Sequence, residues 1–151
     1  MKNVQIIASG DKWIGYGIRT FPAVVKELID KSEKSIIITI YMISDKIIID
    51  NIKNALKRNV LVELFIYYPT PEINFNATNE LSELTGRYTN LRIHKVEKKM
   101  LHAKVLVVDY KYLMIGSANL TFGGMIKNYE LGVLIEDKEI ASEVASLIKK
   151  V

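Results

Sequence analysis

The sequence has no cysteine, one tryptophan, three prolines and two histidines in 151 residues. Without thiols, disulfides and thiolate metal sites are excluded, and the redox compartment is left open. Long apolar runs are missing too. The longest, Ile36 to Ile43, falls far below the roughly 20 residues that a membrane-spanning helix needs. The opening stretch MKNVQIIASG is followed at once by Asp11 and Lys12, a poor pattern for a secretory leader. These absences point to a cytoplasmic protein with no stable membrane insertion. No linker, repeat or low-complexity tract divides the chain, so residues 1–151 are expected to form a single domain. The hydrophobic share of 49% and charged share of 25% suit a globular protein. A net charge of +4 and a pI near 9.1 lean towards a polyanionic partner, although a small basic excess is common and by itself decides nothing.

The apolar pattern predicts an α/β fold. Val4 to Ala8 reads as a first strand. Ser9 to Gly17 holds three glycines with Trp13 and Tyr16 and reads as a loop, its aromatics pinned to the core or free to stack on a substrate. A helix is expected from Thr20, with Pro22 in its first turn and Phe21, Val24, Val25, Leu28 and Ile29 on one face. Ser35 to Ile43 is a buried strand. Ser44 is placed to cap a second helix with Ile48, Ile52, Ala55 and Leu56 inside, and Val60 to Tyr67 is the next strand. This strand–helix–strand unit implies a parallel pair with a right-handed crossover. Pro69 and Pro71 break the chain, and Asn74 to Asn79 reads as a loop. A short helix, Asn79 to Leu84, stops at Gly86. Strands follow at Leu91 to Val96, Ala103 to Val108, Tyr112 to Ile115 and Tyr129 to Ile135, and an amphipathic helix at Lys138 to Lys150. The expected architecture is one domain with a mixed, mostly parallel sheet flanked by helices.

Chemistry-bearing residues gather between Leu101 and Glu136. His102, Lys104, Asp109, Gly116, Ser117 and Asn119 are spaced HxKxxxxDxxxxxxGSxN. His102 and Lys104, two apart, would leave the same face of a strand at its entry. An imidazole can serve as nucleophile, acid or base near neutral pH, and a lysine beside it supplies a positive charge for an anion. Ser117 and Asn119 can donate hydrogen bonds to phosphoryl oxygens, and Gly116 allows close backbone approach. No carboxylate–histidine cluster suggests a metal or other cofactor. Taken singly, each residue has a bland reading: a structural histidine, a solvated lysine, a turn aspartate. Six fixed positions at about 5% frequency each recur by chance in on the order of one chain in a million, so the joint spacing carries the weight.

That string resembles the signature of the phospholipase D superfamily, and its short single-motif endonucleases in particular. Asn128 and Glu130 fall where members often carry a further NxE, and Ile36 to Tyr67, with Tyr41 ending its first strand, looks like the family's first half. The resemblance implies a phospholipase D-like fold and metal-independent phosphodiester cleavage through a phosphohistidine, with no cofactor. It makes His102 the nucleophile. Lys104, Ser117 and Asn119 bind the phosphate, and Glu130 orients a histidine of its own or a neighbouring chain. Asp109 and Gly116 support the fold. The family mechanism uses two histidines, whereas this chain has one copy of the motif. His94 has Val96, not lysine, two residues on and reads as an ordinary strand residue. The implied resolution is a homodimer with the active site at its two-fold interface.

The substrate is less fixed than the reaction. The leading expectation is a sequence-nonspecific endonuclease acting on DNA, with RNA as a further candidate substrate and Lys95, Lys98, Lys99, Lys111 and Lys127 as candidate phosphate contacts or simply solvated charges. The alternatives are a phospholipid-cleaving or phosphatidyl-transferring enzyme and a non-catalytic nucleic-acid-binding module.

Overall fold

The computed structural model describes residues 3–69 and 76–151; Pro71 and the first part of the loop expected from Asn74 lie outside the described residues. Eight strands form one sheet: β1 (Asn3–Ser9), β2 (Arg19–Thr20), β3 (Ser35–Ile40), β4 (Leu61–Tyr67), β5 (Leu91–Val96), β6 (Val105–Val108), β7 (Tyr112–Gly116) and β8 (Glu130–Glu136). Their order is β2-β1-β8-β7-β6-β3-β4-β5. The sheet is mixed. β3, β4 and β5 run parallel, as do β1 and β2, while β8 with β1, β8 with β7, β7 with β6 and β6 with β3 run antiparallel. Parallel pairing is thus confined to the strand–helix–strand part and a two-residue edge; β6 and β7 are joined by a three-residue turn, Asp109 to Lys111, too short for a crossover.

Helices α1 (Phe21–Asp30), α2 (Lys46–Lys57) and α3 (Asn76–Thr85) cover one face, and α4 (Lys138–Ile148) lies on the other. β3, SIIITI, is buried at every position because both faces are covered. Ile36, Ile38 and Ile40 meet the α1–α2 layer, and Ile37 meets α4 through Ala141, Ala145 and Ile148. On the α4 side coverage stops short. Residues Val4 and Ile6 of β1, Ile115 of β7 and Leu131 of β8 stay exposed, and the register aligns Ile6 with Val133 and Val133 with Ile115. That half of the face is apolar and carries no helix among the described residues.

Several local expectations shift. Thr20 occupies the cap position of α1 but makes no side-chain cap bond, since its backbone pairs in β2 with Ala8. α2 is capped by Asp45 rather than Ser44; the Asp45 carboxylate accepts from Ile47 N–H at 2.9 Å and Ile48 N–H at 3.3 Å. Ser44 instead donates its N–H to the Leu120 carbonyl at 2.9 Å. α3 begins at Asn76, three residues before the expected start. The loop after β7 contains a single π-helical turn, Gly123–Lys127.

Asp109 and Tyr110, in the β6–β7 turn, have positive φ of 54° and 50°. The Asp109 carboxylate accepts the backbone N–H groups of Glu33 (3.0 Å), Lys34 (2.8 Å) and Ser35 (2.8 Å), while its own N–H donates to the Ser35 carbonyl at 2.9 Å. The motif aspartate therefore ties its hairpin to the start of β3, at the sheet edge remote from His102. Asp109→Ala should cost about 2 kcal/mol in urea unfolding, since it strands three donors and leaves alanine in a left-handed conformation; Asp109→Asn should cost less. An unchanged midpoint for the alanine variant contradicts this role.

Candidate active site

The motif residues converge on one edge of the sheet, where β3, β4 and β7 end and β6 and β8 begin. β6 starts at Val105, two residues later than the sequence pattern suggests. The cause is Thr39, a polar residue 3% exposed within an isoleucine-rich strand. Its hydroxyl donates to the Ala103 carbonyl at 2.7 Å and accepts from Val105 N–H at 2.9 Å. It takes the place of direct ladder bonds where the chain leaves β3. On the other side Gly116 N–H donates to the Lys104 carbonyl at 3.2 Å. His102 and Lys104 thus stand on a segment pinned from both flanks but free of the ladder.

The His102 side chain is exposed. Its ring meets Tyr41 edge-on, with centroids 4.9 Å apart, and Tyr41 stacks on Tyr67 at 5.6 Å. Lys104 Nζ donates to the His102 carbonyl at 2.8 Å and lies 3.4 Å from a His102 ring nitrogen. Burial pushes the Lys104 ammonium below the ordinary lysine range, and the Glu130 carboxylate opposes that shift. With Asn119, Thr39 and Tyr41, Lys104 lines a small recess. The Asn119 Oδ1 is buried and has no hydrogen-bond partner among the described residues.

Ser117 and Glu130 form a second cluster. The Ser117 hydroxyl donates to the Glu130 carboxylate and accepts from Leu131 N–H at 3.1 Å. Asn128 Nδ2 donates to the other carboxylate oxygen at 3.2 Å. Glu130 accordingly engages Ser117 and Asn128 and makes no bond to His102 of its own chain. Two glycines permit this crowding. A Cβ on Gly116 would lie 2.7 Å from the Phe21 ring, and one on Gly124 would lie 2.3 Å from the Asn119 carbonyl oxygen. The second close approach seats the loop that carries Asn119.

His94 stands outside this cluster. It stacks on Phe65 at 4.3 Å, and its Nε2 lies 3.2 Å from the buried Glu63 carboxylate, which also accepts from Lys149 at 3.2 Å. Sequence reasoning gave Thr39 and Tyr67 no part in the site. Thr39 had a signal, a lone hydroxyl in a buried apolar run; Tyr67 had none beyond ending a strand next to that of Tyr41. Among the described residues no three His, Cys, Asp or Glu side chains gather as a metal site, and no helix is long and apolar enough to cross a membrane.

An exposed imidazole, a partly buried ammonium and the amide and hydroxyl donors around them suit a tetrahedral anion. Residues 25–151 match the family described as "Cardiolipin synthase, PLD-like domain". The phospholipase D of Rickettsia conorii is 34% identical over 113 residues, 75% of this chain, and this chain spans about half of that protein, 54%. Two solved structures share the fold: Nuc from Salmonella typhimurium (TM-score 0.81, 20% identity, 99% of this chain and 93% of that one) and NucT from Helicobacter pylori (TM-score 0.82, 21% identity, 99% and 95%).

Glu130→Gln removes the charge that opposes the downward shift at Lys104. The Lys104 ammonium should then lose its proton at lower pH than in the wild type, as followed by nitrogen-detected NMR of Nζ. A titration that stays in place or moves to higher pH contradicts the coupling.

Proposed function

The chain belongs to the phospholipase D superfamily of phosphodiesterases, and on that premise we propose that it is a sequence-nonspecific endonuclease that works as a homodimer. The observation that carries the dimer is the exposed His102 beside Lys104 with no second histidine in the cluster, His94 being engaged by Glu63. In this reading a ring nitrogen of His102 attacks phosphorus; the N–P bond forms as the bond to the leaving oxygen breaks. The partner subunit's His102 gives that oxygen its proton. The same imidazole then takes a proton from water, whose oxygen displaces His102 and releases the phosphate monoester. Lys104, Ser117 and Asn119 hold the non-bridging oxygens, and their charge and dipoles stabilise the pentacoordinate state. Glu130 keeps Ser117 in place and tempers the downward shift at Lys104.

The bare half-face of the sheet supports the same assembly. Val4, Ile6, Ile115 and Leu131 are 38–53% exposed, and β7 and β8 run from that face to the motif edge. A self-complementary contact there would bury apolar surface next to the site. The basic balance favours a polynucleotide.

A second reading has its own observation. Trp13, Ile14, Tyr16, Phe122 and Ile126 are exposed in the two loops that leave the motif edge after β1 and β7. Apolar, aromatic loop tips suit a lipid interface, so phospholipid cleavage or phosphatidyl transfer is the alternative.

Incubation of supercoiled plasmid, RNA and phosphatidylglycerol vesicles in chelator separates the two. The proposal expects plasmid nicking that falls at least about 1,000-fold in His102→Ala. Headgroup release with intact nucleic acids would install the lipid reading instead. Ile6→Asp with Leu131→Asp should run at the single-chain mass of 17.2 kDa in light scattering and lose activity. A fully active single-chain species contradicts the shared site.

A further inference from the structure

Five lysines near the motif in sequence are not equivalent in space. Lys111 lies at the far edge of the sheet, 2.8 Å from the Glu136 carboxylate and 2.9 Å from the Tyr112 hydroxyl. Lys95, Lys98 and Lys99 come together instead, and a residue from the other end of the fold joins them. With Val96, Glu97 and Val151 they and Lys150 line a cleft of about 480 Å³ between the turn after β5 and the end of α4. Lys95 shares its sheet face with Ile66, opposite to His94 and α4, so Lys98, Lys99 and Lys150 are the cations that line the α4 side of the cleft, with Glu97 as its one side-chain carboxylate, and none of the three forms an ion pair among the described residues. A second basic cleft gathers Lys31, Lys34, Lys111 and Lys138, but it also holds Glu33 and Asp109. Two of its lysines are already paired, Lys31 with Glu27 and Lys111 with Glu136.

The cleft is held in place by a buried charge. Lys149 donates to Glu63 at 3.2 Å and to the Tyr110 hydroxyl at 2.7 Å. Burial would raise the Glu63 pKa, but the bonds from Lys149 and His94 outweigh it and keep the carboxylate below its usual range. The end of α4 is thereby fastened to β4, and the next residue, Lys150, is delivered to the cleft. On the other face of the same strand end Lys95 Nζ sits 4.4 Å over the Tyr68 ring, one residue beyond the Tyr67–Tyr41–His102 aromatic series. Lys99 is three residues from His102, so their backbones are at most about 11 Å apart. At about 3.4 Å of rise per nucleotide in one strand, that spans roughly three nucleotides.

Resting on the nuclease reading above, we propose that this cleft is a second anion subsite, which grips the backbone phosphates of a polynucleotide strand within a few nucleotides of the bond that His102 attacks. Unpaired ammonium groups near half-buried tyrosine rings make a track for a flexible anionic strand: the charges hold phosphates and the ring edges offer stacking surface. The subsite supplies affinity and substrate length preference, while the motif supplies the chemistry.

The test separates binding from cleavage by using the full chain with His102→Ala as background. A labelled single strand of about 12 nucleotides is titrated by fluorescence anisotropy across a salt series. Adding Lys98→Gln, Lys99→Gln and Lys150→Gln should raise Kd at least about tenfold at moderate salt. It should also flatten the slope of log K against log salt by about 2, at about 0.7 per lost phosphate contact. With His102 restored, the same three substitutions should leave hydrolysis of bis(4-nitrophenyl) phosphate within about twofold of wild type, because that diester is too short to reach the cleft. An unchanged Kd and slope overturn the subsite, as does loss of strand binding matched by equal loss of small-diester hydrolysis. Lysine-dependent binding to phosphatidylglycerol vesicles with no strand binding overturns the polynucleotide as occupant. If wild type hydrolyses no diester at all, the nuclease reading fails, while the anisotropy result still decides the cleft.

Discussion

One hydroxyl sets the geometry of this site. Thr39 sits where the central strand would otherwise continue pairing with the motif strand, and it bonds the carbonyl of Ala103 and the amide of Val105. A β-branched apolar residue there would leave both backbone groups without their present partner in a buried setting, at a cost of about 1–3 kcal/mol. With threonine the chain leaves the ladder two residues early while the Ala103 carbonyl and the Val105 amide both keep a partner. The imidazole and ammonium that follow are held by a rigid sheet and yet project beyond it. Pairing through His102 would instead have laid those side chains flat against a neighbouring strand.

Most of the fold was legible because its apolar periods are clean. The stripe of Phe21, Val24, Val25, Leu28 and Ile29 and the unbroken SIIITI run each admit one reading. Boundaries were less legible, because tertiary partners set them. Asp45 competes with Ser44 for the cap, and Ser44 is drawn to Leu120. The strand anticipated from Ala103 starts at Val105 because of a residue more than sixty positions away. Sheet polarity was only partly visible: a parallel unit in the first half says nothing of how β1 and β8 will pair.

For the site, spacing identified the motif residues but could not show whom they touch. His102 and Lys104 do stand together, as do Ser117 and Glu130. The carboxylate of Glu130, expected to orient a histidine, is occupied by Ser117 and Asn128 in its own chain. Tyr41 lends His102 an aromatic edge that no spacing rule describes. The lysines make the same point. Lys99, Lys111 and Lys127 look alike on the page, yet Lys111 is committed to Glu136 while Lys99 faces an open cleft shared with Lys150. Long-range pairing decides which charges remain for a ligand.

In the proposed mechanism two subunits each give one imidazole to a shared phosphate site. Wild type and His102→Ala, mixed and allowed to exchange subunits at constant total protein, test this most directly. If both imidazoles are needed, only wild-type pairs turn over, and activity falls as the square of the wild-type fraction, to about a quarter in an equal mixture. Activity that falls in simple proportion, to about a half, would mean that each chain completes its own site and would contradict the account.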